Sequence, residues 1–257
     1  MKEKERENVK PISVEARPPR VLLPELAAHG AGEEIPLKKE EAAHLRARRL
    51  QDGDEVIALD GKGARARACV TRSGTAVRLV NFEESPAFLG SLPGEPALRV
   101  TILLACAEPA RVEWAVEKGT ESGAAAFFLV ETARSQRAHV AAMRSRLSRL
   151  SRIAAEATKQ CDRTIVPTIE GPRTPADLLR RWTGRVLLSQ PGAPKLSRAA
   201  IPRSGCVALA IGPEGGFDPS EVFLFERSGA LLFSLGPRIL RLETAVVAAL
   251  TVLVGGR

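Results

Sequence analysis

Cys206-Val-Ala-Leu-Ala-Ile-Gly-Pro-Glu-Gly-Gly-Phe-Asp-Pro-Ser-Glu221 decides how this chain is read. Its apolar opening, Cys206 to Ile211, predicts a buried strand. Asp218, Pro219 and Glu221 then stand as an N-cap, a first helical residue and the N3 partner of a capping box. A strand therefore feeds a glycine-rich turn, and the turn feeds a helix N-terminus. Gly212, Gly215 and Gly216 carry no Cβ, so backbone amides there can approach a ligand closely. A second turn of this kind follows one unit later, at Leu235-Gly-Pro-Arg-Ile-Leu-Arg-Leu-Glu-Thr-Ala245.

Upstream, strand-like runs at Val100–Ala105, Ala126–Val130, Thr164–Ile169 and Arg185–Ser189 alternate with helical segments. Those segments are Val112–Ser122, Ala138–Gln160 and Pro175–Trp182, followed beyond the first turn by Pro219–Ser228, a strand at Ala230–Leu235 and a helix starting near Glu243. Near-continuous apolar strands predict a parallel sheet covered on both faces, hence α/β. Ligands of such sheets sit beyond the carboxyl ends of the strands, where both glycine turns fall. Before this region, Glu55–Leu59, Ala64–Thr71 and Ala76–Phe82 read as strands of a small β-barrel, with one helix at Lys39–Leu50. Ser85 to Pro96, rich in proline and glycine, reads as the linker. The charged stretch Met1 to Pro19 reads as a disordered arm and lacks the pattern of a signal peptide.

Composition narrows the function. The 257 residues carry 38 basic and 30 acidic side chains, a net charge of +8, which favours a polyanionic partner. From Ala133 to Arg163 there are eight Lys/Arg against two acids. Met143, Leu147, Leu150, Ala154 and Ala157 make an apolar stripe there, with Arg149, Arg152, Lys159 and Arg163 opposite. A solvated face usually mixes signs, so this one is read as touching nucleic acid. Cys69, Cys106, Cys161 and Cys206 form no metal or disulfide pattern, and fit reduced thiols in a cytoplasm. His29, His44 and His139 are too few for a histidine-rich metal centre. No apolar run approaches the roughly 20 residues of a membrane span.

The 212–217 turn by itself supports a tight connection, a phosphate site at the helix N-terminus, or a cofactor pocket in which Glu214 adds a carboxylate. It lacks the Gly-Lys-Ser/Thr of a P-loop and the GxGxxG of a dinucleotide site.

Ile211–Phe217 and Leu235–Ala245 together resemble the ribosomal RNA small subunit methyltransferase E family. Its members methylate uracil N3 in 16S rRNA and are knotted SPOUT methyltransferases. Glu117–Gly123 is similar to the family's K-x-x-E-L-G segment, with Ser122 replacing leucine, and Ala133-Arg134-Ser135 to its R-S turn. Glu156–Arg163 followed by Pro167 resembles its E-A-x-x-Q-x-x-R…P helix end. His44–Arg49 with Gly53-Asp54 resembles H-x-x-x-V-L-R-x-x-x-G-D of its RNA-binding barrel, with Ala47-Arg48 replacing Val-Leu.

The resemblance implies an arm at 1–19, a PUA-like β-barrel at 20–84, a linker at 85–97 and a trefoil-knotted SPOUT α/β domain at 98–257. Three loops would hold S-adenosylmethionine: Leu188, Ser189 and Gln190; Ile211, Gly212, Glu214, Gly215 and Gly216; and Leu235, Gly236, Ile239 and Leu240. Attack by uracil N3 requires an anionic ring, which a cation would stabilise. Arg241 is the first candidate and Arg238 the second, while Glu214 either takes part in the chemistry or orients its loop. The RNA contacts implied are Arg20, His44, Arg46, Arg49, Arg134, Arg149, Arg152, Gln160 and Arg163. The implied partners are 16S rRNA in the small ribosomal subunit and a second copy of the chain, packed through Ala245–Val254. No metal and no membrane are implied. Rival readings are ribose 2′-O methylation, a non-catalytic ribosome-assembly protein and, more weakly, a phosphate-binding metabolic enzyme.

Overall fold

The computed structural model describes residues 17–82, 92 and 94–255. The first part holds β1 (Arg20–Leu22), β2 (Glu34–Pro36), α1 (Lys39–Ala47), β3 (Glu55–Leu59), β4 (Arg65–Thr71) and β5 (Ala76–Phe82). The second holds β6 (Leu98–Ala105), α2 (Pro109–Glu121), β7 (Ala124–Val130), α3 (Arg137–Ser145), α4 (Leu147–Gln160) and β8 (Thr168–Arg173). It continues through α5 (Pro175–Arg181), β9 (Arg185–Ser189), β10 (Gly205–Ile211), α6 (Pro219–Arg227), β11 (Leu231–Phe233) and α7 (Leu242–Val254).

The five early strands form one sheet in the order β1-β3-β4-β5-β2. Along β4, Ala66, Ala68 and Val70 are buried while Arg67 is exposed, the period-two pattern of a strand with one face on a core. These side chains pack with Val21, Leu26, Leu45, Val56 and Leu79. Among the described residues β1 and β2 do not pair, so the sheet is a half-open barrel. Both are three-residue edge strands, too short to carry a readable period.

The other six strands are all parallel, in the order β11-β9-β10-β6-β7-β8. β10 shows how both faces are covered. Val207, Leu209 and Ile211 join the core of α2, α4 and α7, while Ala208 and Ala210 join Leu178 of α5 and Phe225 of α6. Gly119 lets α2 close on this sheet, since a Cβ there would lie 2.8 Å from the Phe127 ring.

Two expectations change. The single helix Ala138–Gln160 is broken into α3 and α4 at Arg146 (φ −106°, ψ 6°), a break that no proline or glycine announces. The apolar stripe nevertheless spans it, with Met143, Leu150 and Ala154 fully buried. β8 begins at Thr168 rather than Thr164, because the amides of Thr164 and Ile165 go instead to the Glu95 carboxylate at 3.0 and 2.9 Å. The proposed arm up to residue 16 and most of the proposed linker lie outside the described residues, while Arg17, Pro18 and Pro19 are described and Arg17 pairs with Asp162. The two sheets are joined directly: Val166 N donates to Gly61 O at 2.9 Å, and Lys159 Nζ meets Glu41 Oε1 at 2.9 Å in a buried pair.

Candidate cofactor and RNA site

The strand order reverses between β6 and β10, since the chain moves outward to β7 and β8 and then returns to the other side of β6. In open α/β sheets, the crevice at such a reversal is where ligands bind. The loops after β9, β10 and β11 all leave the same carboxyl edge there. The first and third are laced together: Gln190 N donates to Phe233 O, Ser234 N to Pro194 O and Leu196 N to Ser234 O, each at 2.8 Å.

The glycines play separate parts. Gly216 (φ +71°) and Gly236 (φ +113°) adopt left-handed backbone, and a Cβ at either would meet nothing within 4 Å. This open backbone is the kind of surface a cofactor can lie against. Gly212 makes room for Phe217, whose ring would lie 3.1 Å from a Cβ. Gly215 lies under Arg134, whose guanidinium donates to the Gly215 carbonyl. Arg134 thus meets the loop after β10 directly. Leu188 and Ile211 point into the two cores, which leaves their backbone groups to face a ligand. Ser189 and Gln190 are half-buried, as are Leu235 and Leu240, which pack against the larger core. Ile239 is 90% exposed.

The capping box is formed. Ser220 N donates to Asp218 Oδ1 at 3.0 Å, and Asp218 N donates to Glu221 Oε2 at 2.8 Å. The Ser220 hydroxyl and amide hold the Asp218 carboxyl below its ordinary pKa.

Arg111, in the first turn of α2, is a part that sequence reading missed. Its guanidinium lies 3.1 Å from Glu108, 3.3 Å from Glu214 and 3.8 Å from Glu243. It therefore ties the loop after β6 to the loop after β10 and to the start of α7. The hydrogen bond to Glu108 is the main cause that raises its pKa, ahead of the attraction of Glu214 and Glu243. No motif marks it, and only the topology brings these loops together. Glu243 Oε2 is buried with no partner among the described residues. Arg238 and Arg241 are both exposed, and among the described residues neither meets a carboxylate within ion-pair distance. Arg241 also caps α7, its carbonyl accepting the Ala245 amide at 2.8 Å. Cys106 lies near this edge as a buried thiol pushed up to about 12, chiefly by burial, and is no nucleophile there.

The surface expected to meet RNA divides. His44, Arg46, Arg49, Arg152 and Gln160 are at least partly exposed. Burial, followed by Lys159 and Arg48, pushes the His44 pKa down. Arg149 is exposed but grips Glu113 with two bonds, of 2.6 and 2.8 Å. Arg163 and Arg20 contradict the expectation. Arg163 is 3% exposed, donating to Glu95 at 2.7 Å and to the carbonyls of Thr120 and Ala124 at 2.9 and 2.7 Å. The Arg20 side chain is nearly buried against Asp162 and the Lys159 carbonyl. Lys159 is likewise turned inward, toward Glu41. Lys159 and Arg20 tie the end of α4 to the barrel, and Arg163 ties the segment after α4 to Glu95, α2 and the start of β7.

Among the described residues, no helix is long and apolar enough to cross a membrane, and no group of three or more His, Cys, Asp or Glu could hold a metal ion. The class defined is an α/β protein with a glycine-lined pocket at its switch point, joined to a small half-open β-barrel. Residues 94–254 match the RNA methyltransferase domain family, and residues 37–79 match the RNA methyltransferase PUA domain. The ribosomal RNA small subunit methyltransferase E of Synechocystis is 32% identical over 80% of this chain and 67% of its own. That of Mycobacterium bovis is 29% identical over 79% of each chain. A Legionella pneumophila protein solved with S-adenosylmethionine bound superposes with a TM-score of 0.80 at 27% identity, covering 92% of this chain and 97% of that one. The chain belongs to the ribosomal RNA small subunit methyltransferase E family.

Proposed function

We propose that the protein transfers a methyl group from S-adenosylmethionine to N3 of a uridine in the 16S rRNA of the small ribosomal subunit. The observation that carries this reading is the convergence of three loops at the switch point, with Gly216 and Gly236 presenting open backbone. The relatives' names and the cofactor bound in the Legionella structure support it. In this reading the backbone of 188–190, 211–216 and 235–240 holds the cofactor, which supplies an electrophilic methyl on a sulfonium.

The rest falls to side chains. Arg241, with Arg238 beside it, faces the uracil oxygens and stabilises the ring as N3 loses its proton. Arginine stays protonated, so it binds the anion and does not take the proton. Glu214, paired with Arg111 at 3.3 Å, orients its loop. A trefoil knot fits the path of the chain. The loop between β9 and β10 pairs with the segment after β11 through Lys195 and Ser234, and that segment must then reach α7, which packs on α2. Two copies packed through α7, working in the cytoplasm, complete the proposal, as do domain limits near 20–84 and 98–257.

The test is to incubate undermethylated small ribosomal subunits with the protein and labelled cofactor, and then map the modified nucleotide. Label on one uridine N3 is expected. Label on a ribose 2′-O would replace that assignment, and cofactor binding without transfer would leave a non-catalytic RNA-binding protein.

A further inference from the structure

A cavity of about 610 Å3 opens between the half-open barrel and the helices α2 and α4. Most of the charge on its walls is already spent. Arg17 and Arg20 meet Asp162, and Lys159 meets Glu41 and Glu156 at 2.9 and 2.8 Å. Lys118 covers Glu117 and Glu121, each at 2.8 Å. Two wall cations are left over. Arg48, at the end of α1, and Arg152, on α4, come from opposite domains, and both are exposed. Among the described residues neither meets a carboxylate within ion-pair distance. His44 lies on the same wall as Arg48, and burial first, then Lys159 and Arg48, lowers its pKa. The lining of the cleft thus carries five Lys/Arg against three acids, and Arg48 and Arg152 are the members of that surplus without an acidic partner among the described residues.

We infer that this interdomain cleft binds a single-stranded segment of rRNA, with a phosphate held between Arg48 and Arg152. The inference rests on the RNA-methylating reading above. A volume of this order is that of a small-ligand pocket, enough for one or two unpaired nucleotides. Sequence-specific proteins take RNA mainly as unpaired nucleotides, whose bases stack on guanidinium planes and offer their edges to polar groups. Gln160 supplies such a group on the α4 wall. An acidic protein segment is the less favoured occupant, because the α1 wall that carries Arg48 lies within the match to the RNA methyltransferase PUA domain.

The test compares wild type with Arg48→Gln/Arg152→Gln, and with Arg203→Gln, an exposed arginine outside the cleft, as the control. Binding of naked 16S rRNA is measured across a salt series. Methyl transfer to small subunits and calorimetric affinity for S-adenosylmethionine are measured alongside. The double variant is expected to keep the cofactor affinity and the melting temperature. It should weaken rRNA binding about tenfold and flatten the salt slope by about 0.7 for each phosphate that the protein no longer neutralises. The control should match wild type. An rRNA affinity and salt slope equal to wild type overturn the inference, even if transfer to subunits is active. Weaker binding to subunits with unchanged binding to naked rRNA also overturns it, and assigns the cleft to a ribosomal protein. A wild type that methylates no subunit defeats the functional reading instead, and the cleft is then judged on rRNA binding alone.

Discussion

Glu221 accepts the amide of Ala133, 88 positions earlier in the chain, at 2.8 Å. Its other carboxylate oxygen closes the capping box on the Asp218 amide, also at 2.8 Å. One buried carboxylate therefore starts α6 and joins the loop after β10 to the loop after β7. Glu221→Ala leaves two amide donors without their charged acceptor, at a cost of roughly 2–4 kcal/mol. Glu221→Gln can still accept one of them and should lose about half as much. Thermal unfolding of the two variants checks this order. A melting temperature unmoved by either change would mean that the loops are held by other contacts.

Gly236 has φ +113° with open space where a Cβ would stand, whereas Gly215 has an ordinary φ and lies 3.4 Å, from its would-be Cβ, beneath Arg134 Cδ. Alanine at 236 is strained by its backbone, at about 1–3 kcal/mol, and its methyl enters the space offered to a ligand. Alanine at 215 meets a movable side chain. Calorimetry should find S-adenosylmethionine binding at least tenfold weaker for Gly236→Ala, equivalent to about 1.4 kcal/mol, while Gly215→Ala stays close to wild type. Equal losses at the two positions would remove the distinction drawn between these glycines.

β3, β5 and β9 run over the same residues that their apolar patterns predict: β3 and β9 bury a continuous apolar run, and β5 buries Ala76, Val77 and Leu79 while Val80 and Phe82 stay exposed. The glycine turns and the capping box were legible because backbone geometry restricts which residues can stand there. The inward arginines were not. Helical periodicity places Arg163 and Lys159 opposite the apolar stripe, but it says neither that the barrel packs on Lys159 nor that α4 ends at Gln160 and leaves Arg163 to turn onto Glu95, Thr120 and Ala124. Nor could spacing reveal Arg111, whose three carboxylate neighbours lie in three different loops.

Arg163 tests that distinction directly. Its partner Glu95 is as deeply buried as Arg163 itself and accepts four hydrogen bonds or more from Arg163, Thr164 and Ile165. Removing the guanidinium strands a buried carboxylate, so Arg163→Ala should cost on the order of 3–5 kcal/mol. Arg163→Ala combined with Glu95→Gln should recover part of that loss, because no charge is then left unpaired. Chemical denaturation of the single and double variants measures both. An RNA contact would instead leave stability unchanged and weaken rRNA binding.

Arg241 separates binding from chemistry. Its side chain is exposed at the carboxyl edge while its carbonyl starts α7, so truncating the side chain leaves the helix cap in place. Arg241→Ala should therefore fold and bind S-adenosylmethionine as wild type does. Loss of a cation aimed at a developing anion typically costs about 10²–10³ in kcat. Arg241→Lys keeps the charge but not the fork, and should recover only part of the rate. The pH profile discriminates further. With the cation gone, the anionic uracil is harder to form, so the rate should keep rising with pH beyond the range where wild type levels off. If Arg241→Ala raises only the KM for subunits and leaves kcat intact, Arg241 holds a phosphate and Arg238 becomes the group beside the uracil.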